Sequence, residues 1–218
     1  GQDSIVTDDS GTITWGSGNI DVDPMFVDTA NGKYHLLASS QCINGGHPDS
    51  TDSDGTVADM GTYPHLNTYS GPTWYVSATA GNDTTATGAS GAPFRSIQAA
   101  LNFGSDDDTA FVSAGTYNEN LVYRYDEEAS VRSVSIIGED KATTIIDGQN
   151  SGTCIRLSHN GYSTLTIKDF TVRNGYSEGS ENNQGGGIMV GFKYDLVNLH
   201  DLIIENCTAA SGVYAGIG

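Results

Sequence analysis

The sequence predicts an all-β solenoid, and three observations predict it. Apolar segments of strand length recur along the whole chain, and helical periodicity is confined to one stretch near residue 97. The segment Leu165-Thr166-Ile167-Lys168-Asp169-Phe170-Thr171-Val172-Arg173-Asn174 aligns with Val197-Asn198-Leu199-His200-Asp201-Leu202-Ile203-Ile204-Glu205-Asn206 at an offset of 32. Cys154-Ile155-Arg156-Leu157 likewise precedes Gly187-Ile188-Met189-Val190 by 33, and Gly216-Ile217 follows Gly187-Ile188 by 29. Similar strands at near-fixed spacing, with connections of variable length, mark a repeat in which each coil buries its apolar residues by stacking on the next. Third, 28 glycines with abundant Ser, Thr, Asn and Asp but only five prolines suit many short strands joined by tight turns.

Taken in order, Ile5-Val6 and Thr12-Ile13-Thr14-Trp15 read as strands that extend a coil stack. Next come Gly18-Asn19-Ile20-Asp21-Val22-Asp23-Pro24-Met25-Phe26-Val27-Asp28, Tyr34-His35-Leu36, Ser40-Gln41-Cys42-Ile43-Asn44-Gly45-Gly46 and Asp59-Met60-Gly61-Thr62-Tyr63. These runs resemble the C-terminal module of bacterial surface proteins of the choice-of-anchor Q family. The resemblance implies a β-helix end module over residues 1–66, in a position where that family would place it last. A linker follows at 67–73, and residues 74–218 are expected to hold an N-terminal cap and the first coils of a parallel β-helix.

Trp74-Tyr75-Val76-Ser77 reads as a strand and Ala80 to Gly91 as a polar loop. Pro93-Phe94-Arg95-Ser96-Ile97-Gln98-Ala99-Ala100-Leu101-Asn102 carries Phe94, Ile97, Ala100 and Leu101 on one helical stripe. Asp106-Asp107-Asp108 then gives a turn before the strand Thr109-Ala110-Phe111-Val112. The order WYVSATAGND, PFRSIQAAL, FVSAGTYNENL is similar to the N-terminal cap of pectate-lyase-like proteins. That resemblance implies a right-handed parallel β-helix whose amphipathic capping helix shields the first coil, since a bare coil end exposes unpaired backbone groups and an apolar core. Asn174 and Asn206, in phase after their strands, are expected to stack at one corner.

The net charge of −18, from 27 acidic and nine basic residues, repels nucleic acid and anionic lipid and excludes nucleic-acid binding as a function. No stretch approaches the ~20 apolar residues of a membrane-spanning helix, so no membrane span is expected. No signal peptide is visible and Gly1 is not an initiator, which reads as a processed or excised segment. The acidic, Lys-poor, Thr/Asn/Gly-rich make-up favours an extracellular or cell-surface location. Cys42, Cys154 and Cys207 lack zinc-like spacing and read as small buried hydrophobes. Asn82-Asp83-Thr84 and Asn206-Cys207-Thr208 are glycosylation sequons.

Asp49, Asp52, Asp54 and Asp59 surround Gly55, and alternating carboxylates before a glycine turn can wrap a hard cation. They are the candidate calcium ligands, with a solvated acidic turn as the alternative; the spacing is not that of an EF-hand. Asp106–Asp108 read as the N-terminal side of a tight turn, with a metal site as the alternative, and Asp21, Asp23 and Asp28 are expected to make turn hydrogen bonds. No catalytic residue is identified. The pectate-lyase-like resemblance leaves a polysaccharide lyase open as the alternative function, with Arg156, Lys168 or Arg173 as base near Asp169 and Asp201; such chemistry needs a cation on the uronate and a tuned base. The five histidines show no ligand spacing. The favoured reading is a structural or adhesive surface protein, possessing no closure at either end: residues 1–28 and 185–218 are expected to meet head-to-tail, giving a fibre or a junction of tandem β-helices, with surface glycans as a further expected partner.

Overall fold

The computed structural model describes residues 18–123, 133–157, 164–177, 185–190 and 196–209, together with 12 and 14. Among them the chain is all-β: parallel strands stack as a solenoid of about three turns, with one short α-helix. A hairpin comes first, β1 (Phe26–Asp28) antiparallel to β2 (Lys33–Leu36). Strand β3 (Thr73–Val76) lays down the first rung, and the helix α1 (Ile97–Phe103) follows. One coil holds β4 (Thr109–Val112), β5 (Gly115–Tyr117) and β6 (Leu121–Tyr123). The next holds β7 (Ser135–Gly138), β8 (Thr144–Asp147) and β9 (Ile155–Leu157). A third holds β10 (Thr164–Arg173), β11 (Tyr176–Ser177) and β12 (Ile188–Val190), and a fourth β13 (Leu196–Glu205) and β14 (Thr208–Ala209).

All pairings between coils are parallel and in register, which is what builds an interior. On the first face Trp74, Ala110, Ile136, Ile167 and Leu199 stand above one another. On the second face Tyr117, Ile146, Val172 and Ile204 do so, and on the third Tyr123, Leu157 and Val190. The lower members of each column are buried, worth roughly 1.5–3 kcal/mol per large side chain. Among the described residues each column ends on an exposed side chain: Leu199 at 45%, Ile204 at 40% and Val190 at 45%. Among the described residues β13 pairs on one side only, with β10.

The offset repeat is the register itself: Leu165 pairs Val197 through to Arg173 with Glu205, and Ile155 pairs Ile188. Between Lys168 and Phe170 the ladder skips Asp169, opposite the gap at Asp201, and both have left-handed backbone (φ 62° and 48°). These two aspartates turn one long strand across two faces, a conformation short polar side chains tolerate. Asn174 and Asn206 make the next corner (φ 54° and 52°), but the Asn174 amide nitrogen donates to both Asp147 oxygens in the coil before, at 3.0 and 3.1 Å. The asparagine phase was legible; its partner was not. The expected strands at Ile5-Val6 and Thr12–Trp15, and the Gly216-Ile217 repeat, lie outside the described residues apart from Thr12 and Thr14, which are not in a strand.

Helix α1 begins later than the apolar stripe. Ser96 is its N-cap, accepting from the Ala99 N–H at 3.3 Å, and Phe94 precedes it in extended backbone. Phe94, Ile97 and Leu101 are buried as expected of a cap, but so are Gln98 and Asn102 on the polar side, because the helix has a second neighbour.

Candidate functional site

That neighbour is the segment 36–44. The Asn102 side-chain amide donates to the Ala38 and Ser40 carbonyls at 2.9 and 2.8 Å, and the Asn44 amide donates back to the Asn102 carbonyl at 3.1 Å. Gln98 donates to Asn102 Oδ1 at 3.1 Å and to the Val122 carbonyl at 3.1 Å, and accepts from the Val122 N–H at 2.9 Å. A polar bridge therefore runs from the first coil through the helix into the N-terminal segment. Apolar packing accompanies it: Leu36, Ala38, Cys42 and Ile43 belong to the same continuous core as Trp74, Phe94 and Ile97. The His65 ring lies 5.4 Å from Phe103, which stacks with Phe94 and Trp74. Apart from Asn44 Oδ1, which is buried without a hydrogen-bond partner, the side-chain amides of this bridge are paired, and losing one partner leaves the others stranded.

The helix start is held by acids. Asp83 accepts from the Arg95 and Ser96 N–H groups, and Glu119 accepts from Ile97 at 2.8 Å and Gln98 at 2.9 Å. Burial of its carboxyl under the helix pushes Glu119 up to about 7, against the two N–H bonds that favour the ionised form.

Of the four candidate calcium ligands, which lie along residues 49–59, Asp52, Asp54 and Asp59 have carboxylates engaged with backbone N–H groups. Asp52 Oδ2 accepts from the Asp59 N–H at 2.9 Å. Asp54 accepts from the N–H and hydroxyl of Thr56 and from the Asn67 N–H. Asp59 accepts from Asn44 and His65 N–H groups, both at 2.7 Å, and Asp49 is exposed, 3.9 Å from His47. At Asp54 burial opposes ionisation, but the bonds from Asn67 and Thr56 outweigh it and hold the carboxyl below the ordinary range. At Asp59 burial wins and raises it. Among the described residues no group of three or more His, Cys, Asp or Glu side chains is placed to hold a metal. Asp23, Asp28 and Asp108 cap turns, Asp108 also accepting from the Trp74 indole at 2.8 Å, whereas Asp106 accepts from the Ser133 N–H at 3.0 Å, 27 residues on.

Of the bases a lyase would require, Lys168 pairs with Asp169 at 3.2 Å and Arg173 with Asp147 at 2.8 Å, while Arg156 is exposed on β9. Asp201 pairs with Lys141 at 3.3 Å. These residues are spread over separate coils and faces. Sequence reasoning missed Gln98, Asn102 and Asn44. The available signal was two amides spaced i, i+4 on an otherwise apolar helix, a pattern equally suited to a solvated face.

No helix among the described residues is long and apolar enough to cross a membrane. Comparison with known proteins finds no similar curated protein and no similar solved structure. Residues 79–172, from the loop before the helix through most of β10, match the family model described as a protein of unknown function (DUF1565), and over that span the chain is similar to this family.

Proposed function

We propose that this chain is an extracellular structural junction, in which an end module of choice-of-anchor Q type is locked onto the capping helix of a pectate-lyase-like β-helix and the open rung of that helix stacks on a further coil. The observation that carries the reading is the helix α1, buried on every side between the first coil and residues 36–44. A cap that only shielded a coil would keep a solvated polar face; this one is cemented to a second unit. The apolar row Leu199, Ile203 and Ile204 on β13 supports stacking, since soluble monomers rarely leave a long strand edge and its apolar residues uncovered together. The covering coil is proposed to come head-to-tail from the 1–28 region of another copy, which adds units without closing a ring.

Electron microscopy of the purified 218-residue chain tests this. Filaments at micromolar concentration, shortened to soluble particles by Leu199→Lys with Ile204→Lys, support it; a monodisperse globule at all concentrations sinks self-stacking. Calcium at Asp49, Asp52, Asp54 and Asp59 is a separate proposal. A melting temperature raised by millimolar calcium relative to chelator supports it, and an unchanged one leaves the loop a backbone clasp.

A further inference from the structure

We infer that the cleft between the β1–β2 hairpin and residues 64–66 binds a small carboxylate that also carries a hydroxyl group. The cleft measures about 360 Å³, within the range of small-ligand sites. Lys33, His35, His65 and Thr84 supply its polar lining, Val27 and Leu66 part of its apolar walls, and among the described residues no acidic side chain lines it. In a chain of net charge −18 with nine Lys and Arg and five His, the gathering of one lysine and two histidines around one concavity selects for an anion where the remaining surface repels one.

The two imidazole rings are held in place. The His35 ring stacks on Tyr63 at 4.7 Å with an interplanar angle of 23°. His65 is held by its backbone N–H on Asp59, its ring against Phe103, and Nδ1 at 3.0 Å from the Leu36 carbonyl. A carbonyl only accepts, so Nδ1 carries the proton and Nε2 is the ring nitrogen left for a ligand. Thr84 is oriented by a turn in which its N–H donates to Asn82 Oδ1 at 2.7 Å. Lys33 faces Asp28 at 3.9 Å, but that pair is largely exposed and weak, leaving the ammonium open to a second anion. An ammonium beside a ring nitrogen matches a ligand with a carboxylate and an O–H, since a hydroxyl both donates and accepts and so pairs with Nε2 in either ring form, and not a simple halide or an apolar acid.

Titration of the full chain with D-gluconate, followed by NMR of the imidazole signals, tests the site, with chloride and propionate as the comparison anions. Saturable shifts of His35 and His65, with His47 and His200 unmoved, are expected. Lys33→Gln is expected to weaken gluconate by about tenfold without changing the melting temperature, since Lys33 is exposed. No saturation at tens of millimolar, equal shifts at all four histidines, or undiminished affinity in Lys33→Gln overturns the site. Propionate binding as tightly as gluconate overturns its hydroxyl preference.

Discussion

Asn102 holds the position on which the two halves of the molecule depend. Its amide nitrogen satisfies the Ala38 and Ser40 carbonyls at once, so Asn102→Ala strands both and is expected to destabilise by about 2–4 kcal/mol in urea denaturation; a loss under 1 kcal/mol would show that the bridge is ornamental. Glu119 gives a pH dependence of definite sign. Its folded-state value of about 7 lies above the ordinary 4.5, so the folded protein keeps a proton that the unfolded chain releases. The stability it contributes is full below about 4.5 and is lost as pH climbs through about 7. Melting temperature is expected to fall over that window and to be flatter in Glu119→Gln; a wild-type curve without slope would mean the two N–H bonds keep the carboxylate ionised. Cys154 and Cys207 illustrate what spacing hides. Cys154 is in phase with Gly187 and Cys207 with Gly175, both in the coil between them. Both are free thiols, and their side chains meet across that coil. Burial, with the Cys207 thiol beside it, pushes Cys154 up to about 12, so it is expected to react with thiol reagents only on unfolding.

At the scale of elements, the capping helix is the test. Ile97 is fully buried on it, so Ile97→Ala is expected to cost about 2–5 kcal/mol and Ile97→Asp to abolish folding at room temperature. Retention of wild-type melting by Ile97→Asp would remove the helix from its capping role. What was legible here followed from periodicity. The repeat of Leu165–Asn174 in Val197–Asn206 is visible because a parallel solenoid requires like residues at like phase, and register then follows without further information. Gly138 shows where that logic stops. A Cβ there would collide with the Asp169 carbonyl oxygen where the longer strand β10 turns its corner, a contact set by the neighbouring coil and absent from local sequence. The acidic turn at 49–59 could be read as ligands or as clasp, because a carboxylate serves a cation or a backbone N–H with the same oxygens.

For the whole molecule, the continuous core from Leu36 to Val172 joins the hairpin segment to the solenoid. Hydrogen exchange is expected to protect residues 38–44 as strongly as α1, and to fall away towards β13, whose columns end in exposed Leu199 and Ile204. Uniform protection through residues 196–205 in dilute solution would mean that the edge is already covered. The polar bridge at Asn102 also sets a timetable. Residues 36–44 leave the ribosome some 60 positions before the amide that completes them, a delay of about 3–12 s at ordinary synthesis rates. Successive coils can zip locally as they emerge, but the earlier-made segment has to wait for a later-made helix, so a nascent chain paused between these points presents an unfinished surface to chaperones.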